Sequence, residues 1–268
     1  MRSQSLIFSR NNSNTALTQA DIASRAPAVF SQTKANRLTD RYVSLHTSDL
    51  IPVLADYGYS PVQAAQKKSR STEGKLTVGE HNSHMISFAK NTDIALMGTE
   101  DIRPEIILYN SHDGSSSVQL YAGVFRFICS NGIVAGEGFS NRMYHSKTGM
   151  SGFEEMLRST VNDLPLMMNR IQQLKQVQLD SSQMIDMAIK GCSTRWDMYN
   201  PTKQLKAGSY ADSGTVDNAL RITRMGDSTN DAFTVLNRIQ EAVMRGKAYV
   251  RAVTEDNQLG NLRKARAV

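Results

Sequence analysis

Cysteine is scarce: the 268-residue chain has two, Cys129 and Cys192. Thiols so far apart supply neither a disulfide framework nor the CxxC spacing of a redox or zinc site. Each is read as a small buried hydrophobe kept reduced. Long apolar runs are also missing. The longest, near Ile128 to Ala135, is broken by Ser130, Asn131 and Gly132, well short of the ~20 residues a membrane span needs. Leu6-Ile7-Phe8 is too short for the ~7–15-residue apolar core of a signal peptide. The expectation is an unprocessed cytoplasmic chain with no membrane partner.

Nucleotide signatures are absent as well. There is no G-x-x-x-x-G-K-[ST] and no G-x-G-x-x-G loop to cradle phosphates, and the GEG at Gly136 to Gly138 is too short to count. Helix-turn-helix, zinc-finger and basic-zipper patterns are missing, as are internal repeats and heptad arrays. No cofactor and no bound metal are expected.

What is present is an ordinary globular balance, 40% hydrophobic and 21% charged. The length suits one large domain or two modest ones. The net charge of +6 favours a polyanionic partner, because Lys and Arg release counterions from phosphates. It also serves solubility. Basic residues concentrate at Lys67-Lys68-Ser69-Arg70, from Arg245 to Arg251, and at Arg263-Lys264-Ala265-Arg266.

Residues 1–40 read as a polar, loosely held N-terminal arm with one short helix from Thr18 to Ser24, capped by Thr18. A helix begins at Thr47-Ser48, where either hydroxyl can accept from the first turn. It carries the stripe Leu50, Ile51, Val53, Leu54 and stops at Gly58, with Pro52 placed in the first turn. Strands are expected over Tyr59 to Gln66, His84 to Ala89 and Pro104 to Tyr109. Asp113-Gly114 can supply the positive φ of a hairpin turn, with Val118, Leu120, Ala122 and Val124 alternating on the return. The run Val124 to Cys129 fits strand or helix equally.

From Ser151 the period changes. Phe153, Met156, Leu157, Thr160, Val161, Leu164, Met168, Ile171 and Leu174 form one long amphipathic helix, with a kink expected near Pro165. Further helices are expected from Ser181 to Lys190, ended by Gly191, and around Asp231 to Val243, ended by Gly246. A polar loop is expected between them, over Asn200 to Thr215. The fold class is α+β: a small antiparallel sheet with a central β-hairpin, its apolar face packed against a long helix, followed by a helical C-terminal part. The organisation is an arm over 1–40, an α+β core over 41–180 and a helical region with a basic tail over 181–268.

The stretch Asn110-Ser111-His112-Asp113-Gly114-Ser115-Ser116-Ser117 carries the most chemistry. Its residue types are those of a hydrolase triad, but neighbours in one tight turn rarely have triad geometry. No catalytic residue is assigned, although His112 and Asp113 are the acid–base candidates if the protein is an enzyme. The plainer reading is a hairpin whose Asn, Asp and Ser side chains satisfy its own backbone. As a contact loop it would present Asn110, Ser111, His112, Asp113, Ser115, Ser116 and Ser117. His81 and His84 have no second pair at a metal-binding spacing. Aromatics lie among cations: Tyr121, Phe125 and Phe127 flank Arg126, with Arg142, Tyr144 and Lys147 just beyond. Such a surface can stack bases and track phosphates.

Pro104 to Ser117 (PEIILYNSHDGSSS) and Gly123 to Gly132 (GVFRFICSNG) resemble the signature of domain-of-unknown-function family 932. Val29-Phe30-Ser31 and the stretch from Asn230-Asp231-Ala232-Phe233 to Gly246 are also similar to members of it. The resemblance implies carriage on phages, prophages or plasmids and a bacterial cytoplasm, and it supplies no catalytic residues. A weaker, fold-level analogy connects the order of helix, hairpin strands and long helix to Rad52-type single-strand annealing proteins. Together these lead to a nucleic-acid-binding accessory protein, single-stranded DNA favoured, that forms homo-oligomers. Lys67, Lys68, Arg70, Arg126, Arg142 and Lys147 would hold phosphates, and Tyr121 and Tyr144 would stack. The alternatives are a non-enzymatic antagonist that binds a host defence protein and, less favoured, a nucleic-acid-processing enzyme.

Overall fold

The computed structural model describes residues 15–70, 76–77, 79–94, 102–126, 132–134, 140–145, 149–198, 210–211, 213–223 and 225–243. The chain divides into two compact units, residues 7–169 and residues 170–268 together with 1–6.

The first unit opens with α1, Gln19–Arg25, started by a capping box. Thr18 Oγ1 accepts from the Asp21 N–H at 3.2 Å while the Thr18 N–H donates to the Asp21 carboxylate at 2.9 Å. A 3-10 turn follows at Pro27–Phe30. The expectation of a loosely held arm does not hold for this segment. Ala26, Ala28 and Val29 are fully buried, the Leu17 N–H donates to the Pro61 carbonyl at 2.7 Å, and the Ala28 N–H donates to Gln66 Oε1 at 2.8 Å. Its apolar residues are too few to register as a periodic pattern, yet they sit on the sheet edge.

Helix α2 spans Thr47–Asp56 with His46 at its N-cap and no side-chain cap. Neither Thr47 nor Ser48 serves as the expected cap, and Pro52 lies inside the helix rather than in its first turn. Gly58, at φ 79°, allows the turn into the sheet.

The strands are β1 (Tyr59–Gln66), β2 (Ser69–Arg70), β3 (Leu76–Thr77), β4 (His84–Lys90), β5 (Ile102–Asn110), β6 (Val118–Arg126), β7 (Gly132–Val134) and β8 (Ser140–Met143), with a short helix α3 at Asn91–Ile94. A six-stranded antiparallel sheet runs β1-β4-β5-β6-β7, with β8 also pairing β6; β2 and β3 form a separate ribbon. The run from Val124 is strand as far as Arg126, and Phe127 to Cys129 lie outside the described residues.

Register sorts the sheet into two rows, because directly paired residues share a face. Ile86, Leu108 and Leu120 fall in one row, flanked by Phe88, Ile106 and Ala122. All six are fully buried. The large side chains contribute roughly 1.5–3 kcal/mol each relative to exposure. Helix α4, Gly149–Gln176, covers this row as expected. Asn141, paired with Leu120, donates through Nδ2 to Thr160 Oγ1 of α4 at 2.9 Å, and Phe153, Leu157 and Leu164 are buried. Pro165 sits within this continuous helix.

The other row mixes the buried apolar residues Met85, Ala89 and Ile107 with polar ones. Ser87, Arg103 and Glu105 are buried there and bonded together: Arg103 Nε donates to Glu105 Oε1 at 2.8 Å, and Ser87 Oγ donates to Glu105 Oε2. Gln119 and Tyr121 continue the same row on β6.

The second unit contains α5 (Ser181–Ser193), the short strands β9 (Asp197–Met198) and β10 (Tyr210–Ala211), α6 (Ser213–Leu220), a 3-10 turn at Met225–Asp227, and α7 over 232–243. Asp180 caps α5, accepting from the Gln183 N–H at 2.9 Å. Ala188, Cys192, Trp196, Val216, Ala219, Val235 and Ile239 make the core. Gly191 does not end α5 as expected. It lies inside the helix, where a Cβ would stand 2.3 Å from Ile239 Cγ2, so this glycine permits a close helix crossing. Helix α6 was not expected, and its first residues fall in the stretch read as loop. Cys192 is fully buried, as expected. Cys129, Gly246 and the basic tail lie outside the described residues.

Candidate functional site

The β5–β6 hairpin turns through Gly114 at φ 74°. The positive φ favours glycine there, and a Cβ would also push the Leu38 methyl, 2.7 Å away, aside. Asp113 Oδ1 accepts from the Ser115 N–H at 2.8 Å. Ser111 Oγ accepts from the Ser116 N–H at 2.9 Å and donates to the Ser116 carbonyl at 3.1 Å. Gln119 Nε2 donates to the hydroxyls of Ser116 and Ser117 at 2.9 and 3.2 Å. The serines therefore satisfy the hairpin itself, in keeping with the plainer reading.

Asn110, Ser111 and His112 are fully buried, so they form no contact loop. They anchor a second segment, residues 31–48. Asn110 Nδ2 donates to the Leu45 carbonyl at 3.1 Å and to Thr47 Oγ1 at 2.9 Å. Tyr42 Oη donates to the Ser111 carbonyl at 2.9 Å, the Ala35 N–H to the His112 carbonyl at 3.0 Å, and Arg37 Nη2 to the Asp113 carbonyl at 2.6 Å.

Here the chain's five histidines come together. The His112 ring lies 5.1 Å from that of His84 and 5.9 Å from that of His46, centroid to centroid. The His112 N–H donates to the His81 carbonyl at 3.0 Å. His145 stacks on Tyr42 with centroids 4.4 Å apart. His84 is fully engaged: its Nδ1 meets the Asn82 carbonyl at 2.9 Å and its Nε2 meets Thr47 Oγ1 at 2.7 Å. A carbonyl can only accept, so Nδ1 carries the proton and Nε2 accepts from Thr47. His46 Nδ1 likewise donates to the Ser31 carbonyl at 3.1 Å, and His81 Nε2 bonds Thr33 Oγ1 at 2.8 Å. Both ring nitrogens of His112 lack a hydrogen-bonded partner.

Burial chiefly drives His84 down to about 4. It drives His112 down to about 3, with the surrounding histidines adding to the effect. His145 is also lowered by burial, against a weak opposing pull from the Val43 backbone. At neutral pH these are uncharged imidazoles. Burial works to raise the Asp113 carboxyl, but its Ser115 and Ser111 hydrogen bonds and Arg37 hold it below its ordinary value. Burial, then Asp113, raises the Tyr42 phenol.

This arrangement assembles no triad: His112 bonds neither Asp113 nor a serine. Among the described residues no three His, Cys, Asp or Glu side chains converge to hold a metal.

The predicted nucleic-acid residues fall into three groups. Tyr121, Arg142 and Tyr144 come together along β6 and β8: Arg142 pairs with Gln119, and its guanidinium carbon lies 4.9 Å from the Tyr144 ring centroid. Tyr144 is 66% exposed. Tyr121 is half-buried and donates to Gln119 Oε1. Lys67 and Lys68 are exposed just beyond β1, at the hairpin end of the sheet. Arg126 ends β6 and Arg70 ends β2, but their side chains lie outside the description, as does Lys147 entirely. The histidine assembly and its partners Tyr42 and Thr47 leave no local mark in the chain, because only the fold brings these positions together.

The fold and site define an α+β protein built on an antiparallel sheet, with a hairpin clamped to its N-terminal segment by buried polar groups. The chain belongs to the family described as Domain of unknown function (DUF932), which matches residues 37–267. It is similar to two proteins of Escherichia coli (strain K12), UPF0380 protein YfjQ and UPF0380 protein YafZ. Each is 29% identical over 231 residues, covering 86% of this chain and 78% of the relative. No solved structure matches the chain. Among the described residues no helix is long and apolar enough to cross a membrane.

Proposed function

We propose that this is a nucleic-acid-binding accessory protein of a phage, prophage or plasmid, acting on single-stranded DNA as a homo-oligomer in recombination. The observation that carries this reading is the exposed Tyr144 ring with the Arg142 guanidinium over it, beside the half-buried Tyr121. A cation stacked on an open aromatic face is a surface on which a base can lie while its phosphate is neutralised. The exposed Lys67 and Lys68 and the net charge of +6 extend the same preference. The analogy to Rad52-type annealing proteins fits a basic chain without a phosphate loop; as an analogy of fold it says nothing about residues.

The test is fluorescence anisotropy with a labelled single-stranded oligonucleotide and its duplex. Tyr144→Ala should cost about 1–3 kcal/mol, roughly 5- to 150-fold in affinity for the single strand. Equal binding by Tyr144→Ala and Arg142→Ala proteins would remove this surface from the account.

A further inference from the structure

We propose that the histidine cluster is a proton-operated latch that holds residues 31–48 on the β5–β6 hairpin while its imidazoles are neutral and releases that segment when they are charged. The inference is independent of what the Arg142–Tyr144 surface binds.

The geometry carries it. Side-chain contacts between the segment and its seat repeatedly involve a histidine or a residue within two positions of one. Thr33 bonds His81, Tyr42 stacks on His145, Thr47 bonds His84, and Leu45 and Thr47 bond Asn110, two residues before His112. His46 belongs to the segment and faces His112.

The hydrogen-bond directions work for one protonation state only. Asn110 Nδ2 donates to Thr47 Oγ1, which donates to His84 Nε2, while His84 Nδ1 donates to the Asn82 carbonyl. A proton on Nε2 opposes the Thr47 hydroxyl with a second donor. That hydroxyl must then accept from both His84 and Asn110, leaving its own proton without a partner in a buried place. His112 is more exposed to the same difficulty. It is fully buried with neither nitrogen bonded, so a proton there brings an uncompensated charge into the cluster.

The groups facing His112 do not offset that charge. They are His84 from β4, His81 from the turn before it, His46 from the segment and His145 beyond β8, and each opposes a cation at His112. The nearby carboxylate, Asp113, is engaged by Ser115 and lies 3.7 Å from Arg37. The depressed proton affinities of His84, His112 and His145 accord with this picture. Release would free the already exposed Arg37 from the Asp113 carbonyl.

The experiment is hydrogen–deuterium exchange on the full chain between pH 7.5 and 5, corrected for the intrinsic rate. Residues 33–47 should lose at least about tenfold in protection while β4, β5 and β6 keep theirs. Protection that persists over 33–47, or that vanishes from segment and strands together, would overturn the latch. His112→Phe, which removes the central titrating group and leaves His84, should lose clearly less of the segment's protection at pH 5 than the unaltered chain. If that protein fails to fold, the histidine ring resonances of the unaltered chain decide. Titration of His84 and His112 in step with opening of the segment supports the latch. Titration near pH 6.5 with the segment still closed overturns it.

Discussion

His112 is a fully buried imidazole with no hydrogen-bonded partner, and it shapes how stability should depend on pH. The proton affinities of His84 and His112 fall from the ordinary 6.5 to about 4 and about 3 on folding. Above pH 6.5 both states are neutral, and these groups make no difference. Below it the unfolded chain takes up protons that the folded chain refuses, so stability declines from pH 6.5 towards 4, by about 2 kcal/mol per histidine at pH 5. Urea midpoints at pH 7.5, 6 and 5 should fall in that order; a flat series would mean the two imidazoles titrate normally when folded. Asn110 belongs to the same scale. Asn110→Ala removes the donor to Leu45 and Thr47 and should cost about 1–3 kcal/mol in chemical denaturation. The clustering itself has no sequence signature. Only His81 and His84 are close in the chain, and strand pairing brings His84 opposite Asn110, beside His112.

Among the elements, Gly191 makes the sharpest prediction. Gly191→Ala places a methyl 2.3 Å from Ile239 Cγ2 and should destabilise the second unit by about 1–3 kcal/mol, in spite of alanine's better helix propensity. A Tm equal to or above that of the unaltered protein would show that α5 and α7 can part without penalty. This position also marks where the sequence misleads. A glycine after a periodic stretch reads as a helix stop, and nothing local distinguishes it from one that admits a neighbouring helix. Helix α6 escaped notice because Ser213, Gly214 and Thr215 have turn chemistry, and it is Val216 and Ala219, packed in the core, that hold it as helix. The elements that were legible carry their own instructions. Asp113-Gly114 supplies the positive φ of the hairpin, Thr18 and Asp21 form a capping box, and the i, i+3/i+4 stripe from Phe153 lies over the apolar row of the sheet. The arm packs through a handful of small apolar residues, Ala26, Ala28 and Val29, and these leave no periodic trace.

For the whole molecule, the proposal depends on charge and an open aromatic surface rather than on a pocket. The cleft lined by Tyr59, Lys90, Pro104, Val161, Leu164 and Met168 is mostly apolar and offers little to a phosphate. Binding of single-stranded DNA by a basic surface can be measured by anisotropy of the full chain with a single-stranded oligonucleotide across a salt series, with its duplex as comparison. Binding should be tighter to the single strand, and log affinity should fall steeply and linearly with log salt concentration as phosphate-bound counterions are released. No binding at low salt, or binding that does not change from low to moderate salt, would contradict the proposal.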